Sequence, residues 1–181
     1  KDVAFAQNTS SGNGGAIYND GVKSKITGRS YTTSGIQFNS NQAGVTYTDA
    51  NGNTVTTVGH GGAIYNTSQM TITNATLNNN QATEEGGAIY NAASGTLDII
   101  ANSGTTSFTG NRANGVSNAV HNAGQMNLTA NSATDSIIFN DAVTGTSGTI
   151  NITNENAGSV KFNQDVSGNT INLSGGTLVI G

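Results

Sequence analysis

Apolar residues along this chain fall in short clusters, and within each cluster they alternate with polar ones. Met70-Thr71-Ile72, Leu97-Asp98-Ile99 and Met126-Asn127-Leu128 are the plainest cases, with a looser copy over Val22 to Ile26. This period-2 alternation marks a strand with one buried face, and no stretch shows the 3.6-residue period of an amphipathic helix. Gly, Asn and Ser separate the clusters, as turn residues do. The expectation is an all-β chain of many short strands.

The clusters repeat. Gly14-Gly15-Ala16-Ile17-Tyr18-Asn19 returns unchanged over residues 61–66 and 86–91, and in altered form as Ser117-Asn118-Ala119-Val120-His121-Asn122. A second motif, Phe-x-x-Asn, joins Phe5 to Asn8, Phe38 to Asn41 and Phe108 to Asn111, with Leu77 to Asn80 as a Leu variant. The Gly-Gly motif begins nine residues after the Phe or Leu in three copies, and 23 after it between Phe38 and Gly61. The surplus matches residues 45–58, where Asp49-Ala50-Asn51-Gly52-Asn53 lies between two β-prone runs. That pattern predicts a hairpin inserted into one turn of a regular coil.

Units of near-identical sequence at constant offset point to a solenoid, because one unit cannot bury its apolar side alone and stacked units can. We therefore expect a right-handed, single-stranded parallel β-helix of about six or seven three-strand rungs. One body would run over residues 1–181, with regular rungs over 5–138 and tighter, degenerate rungs over 139–181. In that tail the Gly-Gly motif vanishes while Ile150/Ile152, Val160/Phe162, Ile171/Leu173 and Leu178/Ile180 keep the alternation. Phe5, Phe38, Leu77, Phe108, Phe139 and Phe162 should form an inward stack, and Ile17, Ile64, Ile89 and Val120 a second. Asn8, Asn41, Asn80 and Asn111, and separately Asn19, Asn66, Asn91 and Asn122, should form amide ladders at strand-to-turn junctions.

The alternation that sends Ile inward sends Tyr18, Tyr65, Tyr90 and His121 outward. An exposed aromatic stripe is a candidate binding surface, although rings also serve simply to cover neighbouring turns. His121 reads as a Tyr substitute in an altered copy, and His60 as a turn residue. The inserted hairpin offers Tyr47, Asp49, Asn51 and Asn53 as further surface candidates, since loops on rigid scaffolds often carry recognition.

Composition narrows the function. The 181 residues hold 6 Lys and Arg against 10 Asp and Glu, a net charge of -4, with 25 Gly, 27 Asn, no Pro and no Cys. Six basic residues cannot build the phosphate-neutralising surface that nucleic acid requires. Lack of Cys excludes disulfide frameworks, thiolate zinc sites and cysteine nucleophiles. No apolar run reaches the roughly 18 residues of a membrane helix. Low charge could signal disorder, but evenly spaced β-type clusters argue against it. Lys1 is followed by no apolar leader, and the chain reads as a piece of something larger.

Catalytic and cofactor chemistry leave little trace. The acids are scattered; Glu84 and Glu85 suit a solvated turn, and the nearest thing to a cross-rung pair is Asp141 with Asp165, near Lys161. Neither His has partners at the spacing of a Ser-His-Asp triad, and the calcium-binding Gly-Gly-x-Gly-x-Asp nonapeptide is missing. No catalytic, metal or cofactor residues are expected.

Gly-Gly-Ala-Ile paired with Phe-x-x-Asn resembles the repeats of the chlamydial-type polymorphic outer-membrane proteins, a branch of the autotransporters. Phe5 to Asn8 with Gly14 to Ile17, Phe38 to Asn41 with Gly61 to Ile64, and Gly86 to Ile89 after Leu77 carry the likeness, over roughly residues 5–122. The tail over residues 174–181 is similar to degenerate rungs of other autotransporter passengers. The resemblance implies export, passage through a C-terminal translocator barrel of the parent chain, and display at the bacterial cell surface or release from it. It also implies adhesion, with a host-cell surface protein or glycan, or another passenger copy, as partner. The alternatives are a polysaccharide-active β-helix enzyme fragment using Asp141 and Asp165, and a purely structural stalk.

Overall fold

A computed structural model describes residues 3–21, 23–27, 35–154 and 156–181, and these residues form strands and turns with no helix. Successive laps of the chain lie one on another as parallel strands. One lap runs through Ala75–Asn78, Gln81–Ala82, Ile89–Asn91 and Thr96–Ala101. The next runs through Thr105–Thr109, Arg112–Ala113, Val120–Asn122 and Gln125–Ala130. Like lies over like, with Leu77 opposite Phe108, Gln81 opposite Arg112, Ile89 opposite Val120 and Leu97 opposite Met126. This is a parallel β-helix.

Four sheets wrap the coil: a seven-stranded phenylalanine sheet, a five-stranded short sheet, a five-stranded tyrosine sheet and a six-stranded wide sheet. The expected three strands per lap are joined by a fourth, the two-residue strands Thr9–Ser10, Gln42–Ala43, Gln81–Ala82 and Arg112–Ala113. Two residues are too few to display a period, which hid them in the sequence. In the wide sheet the first strand is Ser24–Thr27, with Ser24 opposite Met70 and Ile26 opposite Ile72. Val22, which the alternation had included in that strand, lies outside the described residues.

The core is continuous along the coil. Phe38, Leu77, Phe108, Phe139 and Phe162 are fully buried, as are Ile64, Ile89 and Val120; Phe5 and Ile17 in the first lap are partly covered. Stacked rings lie 4.8 Å apart at Phe5–Phe38, 4.6 Å at Phe108–Phe139 and 4.9 Å at Phe139–Phe162, all within 13° of parallel. Each such side chain contributes about 1.5–3 kcal/mol by leaving water, more than a typical net hydrogen bond of about 1 kcal/mol.

Amides hold the turns in register. Nδ2 of Asn8 donates to Oδ1 of Asn41 at 2.8 Å, Asn41 to Asn80 at 2.8 Å, and Asn80 to Asn111 at 2.9 Å. Each Oδ1 also accepts the backbone N–H of the Asn in the lap before, and each Nδ2 after the first lap also reaches a carbonyl at the Phe or Leu position of that lap. Nothing is left unpaired in a buried amide of this kind. The second ladder runs from Asn19 through Asn66, Asn91 and Asn122 to Asn169. Gly145 stands opposite Asn122 in the intervening lap, and a side chain on it would collide with the Asn169 amide.

Gly61 and Gly86 adopt φ of 68° and face the carbonyl of the Ile three residues on, so a side chain there is both strained and obstructed. In the altered fourth copy, Ser117 stands in place of this Gly. The left-handed backbone moves upstream to Asn114 and Gly115, at φ of 47° and 75°, where Arg112–Ala113 turns back antiparallel on Val116–Ser117. The inserted segment is an antiparallel hairpin, Thr46–Thr48 against Thr54–Thr56, with Tyr47 opposite Val55.

Candidate functional site

Two features depart from the uniform coil, and both lie at the corner between the short sheet and the tyrosine sheet. The first is the hairpin. Val45 and Thr57 bond each other across its base, and Thr83 of the next lap ties it down by accepting from Gly59 N at 2.9 Å and donating to Thr57 O at 2.8 Å. At its tip the Asp49 carboxylate accepts the backbone N–H groups of Asn51 and Asn53, both at 2.8 Å, and the Asn53 amide at 3.3 Å. These bonds, the Asn53 N–H foremost, hold the Asp49 carboxyl below its ordinary range. Tyr47 is exposed on one face beside Val55. Asp49 and Asn53 thus build the turn, while Tyr47 is offered to solvent.

The second feature is the aromatic column. Ring centroids lie 4.9 Å apart for Tyr18–Tyr65 and 5.1 Å for both Tyr65–Tyr90 and Tyr90–His121; the last two pairs are within 6° of parallel. Because the rings stack along the coil axis, the faces of Tyr65 and Tyr90 are taken up by their neighbours, whereas Tyr18, at the end of the column, has a ring stacked on one side only. Tyr18 is exposed, while Tyr65 and Tyr90 are half-buried. Burial raises the phenol pKa of both, with Tyr18 adding to the effect at Tyr65, and Glu85 and then Tyr65 at Tyr90.

His121 does not share the exposure expected of the stripe: only 5% of it is accessible. The lap above it covers it, with Nδ1 3.1 Å from Thr144 Oγ1 and Nε2 3.2 Å from Thr146 Oγ1. His60 is likewise more than a turn residue. Its ring lies 4.8 Å from Tyr90, and its Nδ1 is buried without a hydrogen-bond partner. Between the two imidazoles sits Glu85, its Oε2 3.7 Å from His60 Nδ1 and its Oε1 3.7 Å from His121 Nδ1. Burial lowers the His121 pKa; Glu85 opposes that shift and His60 adds to it. Among the described residues these are the only contacts within 4 Å between a carboxylate and a basic side chain, and each is an ion pair only when its imidazole is protonated.

Sequence reasoning missed this grouping, yet a signal existed. His60 and Glu85 occupy the same position of consecutive repeats, immediately before Gly61 and Gly86. Side chains at equal repeat positions stack, and His121 reaches them from the column alongside.

The acids singled out for catalysis are placed differently. Asp141 ends the first amide ladder, where its carboxylate accepts Gly110 N at 2.9 Å, Asn111 N at 2.9 Å and Asn111 Nδ2 at 2.8 Å. It is buried, whereas Asp165 is exposed. No group of three or more His, Cys, Asp or Glu among the described residues is placed to hold a metal ion.

Comparison with known proteins supplies the family context. Residues 2–20 and 74–92 match the Chlamydia polymorphic membrane protein repeat. These segments hold Phe5 to Asn8 with Gly14 to Asn19, and Leu77 to Asn80 with Gly86 to Asn91, so the match falls on the two coupled motifs. The chain carries segments of chlamydial polymorphic-membrane-protein type. The likeness is to the repeat unit, over these two segments. No curated protein and no solved structure matches the chain.

Proposed function

We propose that this segment is a non-catalytic part of an exported passenger and acts in adhesion, to a host-cell surface protein or glycan or to another passenger copy. The hairpin over residues 45–58 carries the contact, with the outward edge of the Tyr18–Tyr65–Tyr90 column beside it. The observation behind this reading is the hairpin itself. It is an insertion between motifs that keep nine-residue spacing elsewhere, and it lifts Tyr47 off a rigid stack. Regular laps supply rigidity, so little ordering entropy is lost when the hairpin binds. Asp141, with its carboxylate spent on the amide ladder, gives the enzyme alternative no support.

The test removes the insertion and nothing else. Residues 45–58 are deleted so that Phe38 and Gly61 recover the spacing of the other laps, and binding to host cells and self-association are measured on the displayed passenger. Loss of binding with an unchanged β-type circular dichroism spectrum is the expected result. Undiminished binding would reject the hairpin as the contact and favour the stalk.

A further inference from the structure

The outer face of the wide sheet is a further regular surface, away from both the hairpin and the aromatic column. Along its middle, one residue from each of the strands stands over the next: Lys25, Thr71, Asp98, Asn127, Asn151 and Asn172. The rows on either side are built mostly of Thr and Gln and contain no charged residue. Lys25 and Asp98 are therefore the only charges on this face. Soluble surfaces ordinarily carry charge at about 25–35% of positions, which keeps copies apart; a sheet face without it is open to pairing.

The middle row is already ordered. Asn127 Nδ2 donates to Asp98 Oδ1 at 2.7 Å, Asn151 Nδ2 to Asn127 Oδ1 at 2.9 Å, and Asn172 Nδ2 to Asn151 Oδ1 at 3.0 Å. Gln125 adds a bond to Asn127 Oδ1 at 2.9 Å, and Thr71 Oγ1 reaches the other Asp98 oxygen at 3.4 Å. Each of these Asn residues keeps one Nδ2–H without a partner among the described residues, and each Asp98 oxygen keeps room for another donor. All three amides donate toward the same end of the coil, so the row has a direction.

We propose that this face pairs with the same face of a second copy turned end for end, amide row against amide row. Spacing selects that partner. The row repeats once per lap, about 4.8 Å, and only a partner with the same repeat stays in step along all the laps. An extended peptide advances about 6.6 Å between side chains on one side and falls out of step at once, whereas a second copy matches throughout. The row is also self-complementary. A two-fold axis between the strands Thr96–Ala101 and Gln125–Ala130 sets Asp98 against Asn127 of the other copy, in two symmetric places. The spare N–H of each Asn127 there meets a spare site on a carboxylate. Lys25 lies over Asn172, no like charges meet, and the two amide rows run in opposite directions.

Area sets the strength. Six strands about 4.8 Å apart and about five residues long cover roughly 500 Å² per copy, or about 1,000 Å² in the pair, the lower end for a specific interface. The pairing is thus weak and reversible. The ladder has already fixed its amides, so docking immobilises few further side chains. The hairpin rises from a different corner, and this pairing needs no part of it.

Sedimentation equilibrium of the whole chain is the test. Its mass should climb from 18.2 kDa toward twice that value as the concentration rises from about 10 μM to about 1 mM. Asn127→Glu sets a second carboxylate against Asp98 of the other copy and should weaken association at least about tenfold. Asn151→Glu, whose own row places no acid beside it, should weaken it as well, with an unchanged β-type circular dichroism spectrum. Asn127→Lys should keep the pair, as should deletion of residues 45–58 and Asn163→Glu at the end of the phenylalanine sheet. A chain that stays monomeric to about 1 mM, or association that survives both Glu variants, would overturn the pairing. So would a monomeric chain whose Asn127 and Asn151 side-chain amide resonances shift with maltohexaose, a neutral linear glycan, since the face would then belong to a saccharide.

Discussion

Asn80 shows how much a single residue position does in this fold. Its amide bonds Asn111 ahead, accepts two N–H groups from Asn41 behind, and reaches the Phe38 carbonyl. Replacing it with Leu keeps the branching at Cγ but is bulkier, and strands those partners in a dry interior. Asn80→Leu should cost about 3–5 kcal/mol, seen as a drop in Tm on the order of 10 °C. A neutral outcome would mean that the ladder only decorates the turn. At the ladder's far end, Asp141 receives the N–H groups of Gly110 and Asn111. Asp141→Asn would set an NH2 group against one of these donors. It should cost about 1–2 kcal/mol in a denaturant titration, with no loss of fold. The motif made the four Asn positions legible. Asp141 was hidden because it follows Phe139 by two residues, where Asn follows Phe by three.

At the scale of elements, strands with alternating residues were readable and those defined by contact were not. Three of the four sheets follow from the apolar period, whereas Gln81–Ala82 and its counterparts are strands only because equivalent pairs in adjoining laps lie beside them. The column of Tyr18, Tyr65 and Tyr90 was visible from its repeat, but the burial of His121 depends on Thr144 and Thr146, which belong to a lap without the Gly-Gly motif. Half-burial of Tyr65 and Tyr90 has a measurable consequence. Their folded-state pKa values are raised, so the column's contribution to stability is complete below the unfolded tyrosine pKa and is lost as pH climbs through the raised values. Spectrophotometric titration of Tyr65→Phe and Tyr90→Phe against the parent should assign the latest-ionising phenols to these two residues. Ionisation of both at the ordinary value would contradict the packed column.

For the whole molecule, regularity is the source of strength, and the function proposed above is placed on the exceptions. Identical positions recur because each lap must present the same side chain to the lap before and the lap after. A surface made this way is uniform, and the proposed contact therefore lies where the repeat is broken, at the hairpin over residues 45–58. The family match concerns the repeats themselves; the insertion is what distinguishes one lap from the rest.

Everything here depends on laps lying in parallel register, with residues far apart in sequence, such as Phe108 and Phe139, stacked as neighbours. Nuclear Overhauser contacts in the isotopically labelled chain test that directly. The account predicts cross-peaks between the Phe108 and Phe139 rings, 4.6 Å apart by centroid, and between the side-chain amides of Asn80 and Asn111. Their absence in a folded sample, or contacts instead between Phe108 and residues of the wide sheet's outer face, would contradict it.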